Sequence, residues 1–140
     1  MILADALILD ASVAAAIFFT EPGRSEKARA MADGRTVLLA PDFLFIEMAS
    51  IASKKTRRGE VPIAFAERAL SSLSTVVSEV IPSAPFIERA FALSVAHGVS
   101  VYEGLYLALA EQRGCPVVTA DIKLVERAKA GGLGRLVQAL

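Results

Sequence analysis

The stretch Ser100-Val-Tyr-Glu-Gly-Leu-Tyr-Leu-Ala-Leu-Ala110, continued by Glu-Gln-Arg-Gly-Cys-Pro116 and Val-Val-Thr-Ala-Asp121, sets the architecture of the chain. A helix-length segment apolar on almost every side, stopped at Gly114 and followed by Val117-Val118, predicts a buried helix feeding a buried strand. Two carboxylates bracket this unit. Glu103 falls in the first helical turn among Val101, Tyr102, Leu105 and Tyr106, and Asp121 falls just past the carboxyl end of the strand. A buried carboxylate is costly unless it is hydrogen-bonded, paired or bound to a metal, so both placements need a cause.

The same alternation recurs on either side. Ala6–Leu9 predicts a strand ending at Asp10, and Ala11–Phe19 an apolar helix stopped by Glu21-Pro22-Gly23. Ser25–Met31 predicts a helix and Thr36–Ala40 a strand. Pro41-Asp42 opens a long helix, with Asp42 as its cap and the basic run Lys54-Lys55-Thr56-Arg57-Arg58 at its end. Helices over Pro62–Leu73 and Phe86–Ala96, strands over Thr75–Ile81 and around Arg135–Gln138, and a helix over Ile122–Ala130 complete the pattern. Strands alternating with helices imply one α/β domain over 1–140, its central, mostly parallel sheet flanked by helices on both faces. Ligands of such sheets bind at the carboxyl ends of the strands. Asp10 and Asp121 both belong to that edge, and Glu47, in an otherwise apolar helical stripe, and Glu103 lie on helices able to lean over it.

Composition narrows the partners. Fifteen Lys and Arg balance fifteen Asp and Glu, so nucleic acid or a membrane must be met by a local patch. No apolar run reaches the roughly 18 residues of a membrane span, and Met-Ile-Leu-Ala-Asp5 lacks a basic leader, which together predict a soluble cytoplasmic protein. Cys115 is the single cysteine, which excludes an intrachain disulfide and a cysteine-rich zinc site. The hydrophobic fraction of 54% exceeds what one small core needs and hints at apolar surface reserved for another chain.

Four carboxylates converging without cysteine ligands favour a hard, oxygen-preferring cation, Mg²⁺ or Mn²⁺, and hence metal-assisted phosphodiester hydrolysis. Each acid also has a plainer reading. Ser100-Val-Tyr-Glu103 is itself a capping box, Asp121 and Asp10 can each cap the helix that comes next, and Glu47 can reach solvent or pair with a base. The basic run at 54–58 suits a helix C-terminus, or supplies phosphate contacts through Lys54, Lys55, Arg57 and Arg58, with Arg24, Lys123 and Arg127 as lesser candidates. His97 reads as a helix-end residue, Cys115 as a small hydrophobe, and Phe43, Tyr102 and Tyr106 as core.

The motifs Leu9-Asp-Ala-Ser12, Ala40-Pro-Asp-Phe-Leu-Phe-Ile-Glu47, Gly98-Val-Ser-Val-Tyr-Glu103-Gly-Leu-Tyr106 and Val118-Thr-Ala-Asp121 resemble those of the PIN-domain ribonucleases, specifically the VapC-type toxins of toxin–antitoxin pairs. The resemblance covers nearly the whole chain in order. It implies a parallel sheet flanked by helices, Mg²⁺- or Mn²⁺-dependent RNA cleavage, a homodimer and a small antitoxin partner. Asp10, Glu47, Glu103 and Asp121 map onto the family's four acidic positions, with Ser12 and Thr119 as hydroxyls near the metal. At one of these positions Glu103 stands where the family most often has Asp, one methylene shorter. The alternatives are a PIN-like module with weakened catalysis that binds RNA or antitoxin, and a phosphatase using Asp10 as nucleophile, for which the usual second Asp is missing.

Overall fold

In a computed structural model, which describes residues 6–140, the strand β1 (Ala6–Leu9) lies at the centre of a five-stranded parallel sheet. Leu7 and Leu9 turn to one face and Ile8 to the other, each buried, so this strand carries no polar side. Its flanking helix α1 (Ala11–Phe18) and α2 (Ser25–Met31) lead into β2 (Val37–Pro41), which pairs with β1 in the register Leu7↔Leu38. Next come α3 (Phe43–Arg57), α4 (Ile63–Val76), β3 (Glu79–Ile81), α5 (Ile87–His97), α6 (Val101–Arg113), β4 (Val117–Thr119), α7 (Ile122–Ala130) and β5 (Val137–Ala139). The segment 1–5, on which the expectation about a leader and that of Asp5 as a surface or turn residue rest, lies outside the described residues.

The strand order β3-β2-β1-β4-β5 locates the site. The chain moves outward from β1 through β2 to β3, then returns across β1 to lay down β4. The switch point therefore falls between the carboxyl ends of β1 and β4, where a parallel sheet leaves a crevice. One core layer packs α1, α3 and α4 on the Leu7–Leu9 face through residues such as Val13, Leu44, Met48 and Leu73. The other packs α5, α6 and α7 on the Ile8 face through Leu93, Leu107, Leu109 and Leu124. Gly114, at φ 67°, takes the left-handed conformation that ends α6, as its placement predicts.

Three local expectations are corrected. The strand read over Thr75–Ile81 is only Glu79–Ile81, because α4 continues to Val76. The β-branched Thr75 and Val76 suggest a strand by propensity. The buried stripe Ala66, Ala69 and Leu73 holds the helix on the sheet instead, and the Thr75 hydroxyl donates to the Ser72 carbonyl at 2.6 Å. The last strand starts two residues later than read, at Val137, after a 3₁₀ turn over Gly134–Leu136, since pairing of Val117 with Val137 fixes its register. Asp42 does not cap α3. Its backbone is already helical (φ −55°, ψ −28°), whereas a capping side chain needs an extended backbone, and its carboxylate accepts instead from the Ser83 amide and hydroxyl, tying the β2–α3 and β3–α5 connections together.

The surplus of apolar residues is partly on the surface: Ile87, Phe91 and Val95 repeat at four-residue spacing along α5 and are exposed. No helix among the described residues is long and apolar enough to cross a membrane.

Candidate functional site

The carboxylate of Asp10 is placed by the abrupt change from strand to helix at Leu9–Ala11. Its extended backbone (φ −94°, ψ 170°) lets the side chain fold back as the cap of α1, accepting from the Val13 amide at 3.1 Å. The Ser12 hydroxyl donates to the same oxygen at 2.6 Å. Asp10 is nonetheless almost wholly buried, and burial raises its pKa above the ordinary 3.8 despite these hydrogen bonds.

Ser12 also accepts from the Ala120 amide at 3.0 Å and lies 3.5 Å from the Thr119 hydroxyl, which in turn accepts from the Asp121 amide at 3.0 Å. The two hydroxyls thus stitch the carboxyl ends of β1 and β4 together across the switch point. Asp121 caps α7 through the Lys123 and Leu124 amides at 3.0 and 3.2 Å, and its side chain stands at the exposed rim.

Glu47 comes from the second turn of α3. It neither snorkels freely nor pairs with a base. The phenol of Tyr106, on α6, donates to its Oε1 at 2.6 Å, joining residues 59 positions apart. Burial raises the pKa of Glu47, and the charge of Asp10 raises it further. Tyr106, buried against this carboxylate, is held well above its ordinary value, first by desolvation and then by the negative charge of Glu47.

Glu103 fulfils its capping-box reading, with Oε1 accepting from the Ser100 amide at 2.8 Å while Ser100 Oγ accepts from the Glu103 amide at 3.0 Å. Its other oxygen receives Arg127 at 2.6 Å. The longer side chain lets one carboxylate reach its own helix cap and a base on α7 together. Arg127 is therefore placed against Glu103, with its Nε buried and unbonded among the described residues.

Asp10, Glu47, Glu103 and Asp121 line one cavity of about 470 Å³, together with Ser12 and Tyr106. Thr119 lies behind Ser12, fully buried. Among the described residues, however, no three of Asp, Glu, His or Cys stand together as a ready-made metal cage. The hydrogen bonds show why: Glu103 is drawn toward Arg127, and Asp121 is turned onto its own helix. Asp10 and Glu47 remain as the two acids whose charges act on one another.

The basic run at 54–58 divides. Lys54, Lys55 and Arg58 face a groove beside α1 that also includes Ser12 and Arg24, whereas Arg57 faces the crevice between α3 and α4. Lys123 is exposed next to the cap of α7. Tyr102, expected in the core, is 61% exposed and stacks on Phe43 at the cavity mouth, with ring centroids 5.1 Å apart and planes within 7°. His97 ends α5 as expected, its ring packed over Gly131. Cys115 is half-buried, and desolvation pushes its thiol pKa up.

Two residues at the site escaped the sequence reading in their roles. Tyr106 stands three positions after Glu103, a spacing that puts both on one helical face. Nothing in one dimension links it to Glu47, nor Arg127 to Glu103.

A family model described as the PIN domain matches residues 7–130. Ribonuclease VapC3 of Pyrobaculum aerophilum is 35% identical over 123 residues, covering 86% of this chain and 93% of that protein. The crystal structure of PAE2754 from Pyrobaculum aerophilum superposes with a TM-score of 0.71 at 22% identity, covering 89% of this chain and 80% of that one. Mycobacterium tuberculosis VapC20, a sarcin-ricin loop cleaving toxin, superposes with 0.64 at 21% identity, with 84% and 92% covered. VapBC2 from Rickettsia felis, bound to a DNA fragment from its promoter, gives 0.64 at 14%, with 96% and 98% covered. At these identities the three structures establish the fold. With the family model spanning most of the sequence and a VapC relative matched over nearly its full length, the chain belongs to the PIN domain family, in its VapC-type branch.

Proposed function

We propose that this chain is a metal-dependent endoribonuclease, the toxin of a toxin–antitoxin pair, hydrolysing RNA phosphodiester bonds in the acidic cavity. One observation carries the reading: the buried Asp10 and the half-buried Glu47, from different elements, are brought together at the switch point of a parallel sheet, each at an energetic cost that a bound cation would offset. The names of the relatives, a ribonuclease and a loop-cleaving toxin, support the same activity, and the VapBC neighbour supports an antitoxin partner.

The donor set fits Mg²⁺ or Mn²⁺. It is all oxygen, and Mg²⁺ is commonly held by only one or two carboxylates with water and substrate phosphate filling the remaining positions, so a pair of acids is enough to bind it. When bound, the cation supplies a water of lowered pKa and neutralises charge on the attacked phosphate. The protein's part is positional. Ser12 fixes the Asp10 carboxylate, Tyr106 fixes that of Glu47, and the Ser12–Thr119 link keeps the β4 end, with Asp121 at the rim, against the β1 end. Incubation with labelled single-stranded RNA should give cleavage with Mg²⁺ or Mn²⁺ and none with chelator. Binding without cleavage at any metal concentration would favour the module that has lost catalysis.

Without a cation, the raised pKa values of Asp10 and Glu47 mean that the folded state binds more protons than the unfolded one. Their contribution is present below the unfolded values, 3.8 and 4.5, and is lost as pH rises through the raised folded ones. Mn²⁺ binds the deprotonated pair, so its thermal stabilisation should be larger near pH ~7 than near pH ~5. At a hundred times Kd the gain is about 2.7 kcal/mol. Equal shifts at both pH values in differential scanning fluorimetry would place the metal elsewhere.

Glu103→Asp should keep or raise Mg²⁺-dependent cleavage, since the shorter side chain restores the commoner residue and loosens the hold of Arg127. A metal site tolerates only about 0.5 Å of misplacement, so complete loss of activity would show that the longer side chain is specifically required.

A further inference from the structure

Among the described residues no Lys or Arg lines the acidic cavity, and Arg127 beside it is taken up by Glu103, although the proposed substrate is a polyanion. A cation held by Asp10 and Glu47 can answer the charge of one phosphate. The neighbouring phosphates of the strand must find theirs outside. We propose that the RNA strand leaves the cavity over Ser12 and enters a second groove, where Arg24, Lys54 and Arg58 bind its backbone phosphates.

Ser12 is the hinge of this inference, because it lines both spaces. The second groove, about 260 Å³, runs between α1 and the C-terminal half of α3. It holds four cationic side chains against Glu21 and Glu60, a local excess in a chain whose formal charge is zero. One of the four is already engaged: Lys55 lies 3.6 Å from Glu21 and 5.3 Å from the centre of the Phe19 ring, with its side chain only 19% exposed. Arg24, Lys54 and Arg58 are exposed, and among the described residues none of them makes a salt bridge.

Helical geometry selects these residues. Lys54 and Arg58, one turn apart, share the α3 face toward the groove, and Arg57 is rotated onto the α4 side. Arg24 reaches in from the turn before α2. The groove therefore reads phosphates rather than bases, because its polar side chains are mainly long, flexible cations with little to distinguish one base edge from another. It extends the nuclease reading and rests on it for the identity of the strand.

The test measures binding of a fluorescein-labelled single-stranded oligoribonucleotide by anisotropy, in chelator to prevent cleavage, across a salt series. Neutralising the three cations together (Arg24→Gln, Lys54→Gln, Arg58→Gln) should weaken binding at least about tenfold at ~100 mM salt and flatten the log Kd versus log salt slope by about 2, near 0.7 for each phosphate no longer neutralised. Arg57→Gln should leave both unchanged. The triple variant should melt within a few degrees of the parent, since all three side chains are exposed. The proposal is overturned if the triple variant binds RNA like the parent, if Arg57→Gln loses as much, or if a poly-glutamate peptide of equal charge binds the parent as tightly as the RNA, which would give the groove to an acidic protein segment. RNA binding lost in the triple variant, with no cleavage by the parent in Mn²⁺, would uphold the groove and remove the nuclease reading instead.

Discussion

Asp10→Asn should reduce metal-dependent RNA cleavage by roughly 10²–10³-fold, the scale seen when one preorganised electrostatic stabiliser of a transition state is removed. The same change should leave the melting temperature at pH ~7 unaltered or higher. The two outcomes have one cause. Asp10 is buried at the end of β1, where desolvation raises its pKa, so its ionised form is a net cost to the folded state at neutral pH. Asn keeps an oxygen to accept from the Val13 amide and the Ser12 hydroxyl, so the helix cap survives while the charge is removed. If Asp10 served only as the cap of α1, cleavage would persist in the variant. Measured initial rates within a few-fold of the parent would therefore rule out a part for Asp10 in holding the cation, and a large fall in melting temperature would show that its charge stabilises the fold.

The edge at which Asp10 and Asp121 meet was readable from the chain. Each acid comes directly after an apolar run of strand length, and parallel strands deliver the residues after them to one edge of the sheet. Their adjacency was not readable, since it depends on β4 being laid down beside β1 rather than beyond β3. Glu47 was conspicuous as a carboxylate in an apolar stripe. Its stabilisation by Tyr106 depends on the tilt at which α6 crosses toward α3, which no local pattern encodes. Glu103 shows the opposite case. Its capping box was fully legible over four residues, yet the partner that occupies its second oxygen, Arg127, lies 24 positions away. Thr75 and Val76 favour a strand by propensity, a weak preference that the buried helical stripe of α4 reverses. The division of the basic run was available in principle, because successive residues of a helix turn by about 100° and four neighbouring charges cannot share a face.

Gly104→Ala should destabilise the protein by up to about 2 kcal/mol and lower its melting temperature by several degrees, although Ala is ordinarily the better helix former. Gly104 lies in the first turns of α6, buried against α5. A Cβ there would fall 2.5 Å from the Ala90 carbonyl oxygen, with the Ala90 carbonyl carbon and Cα at 3.2 and 3.3 Å. All three are backbone atoms of a residue that is itself fully buried, so no rotamer change relieves the clash and the two helices must separate. Removing Gly from a helix gains about 1 kcal/mol, and overpacking a tight interface costs typically 1–3 kcal/mol, so the second effect wins where the obstacle is main chain. Gly104 also sits between Glu103 and Tyr106. Any displacement of α6 that accommodates the methyl group changes the 2.6 Å hydrogen bond between Tyr106 and Glu47, so cleavage should fall by more than the loss of folded protein accounts for. A melting temperature equal to or above the parent's would show that the α5–α6 interface yields easily, and that Gly104 is there for some reason other than this close approach.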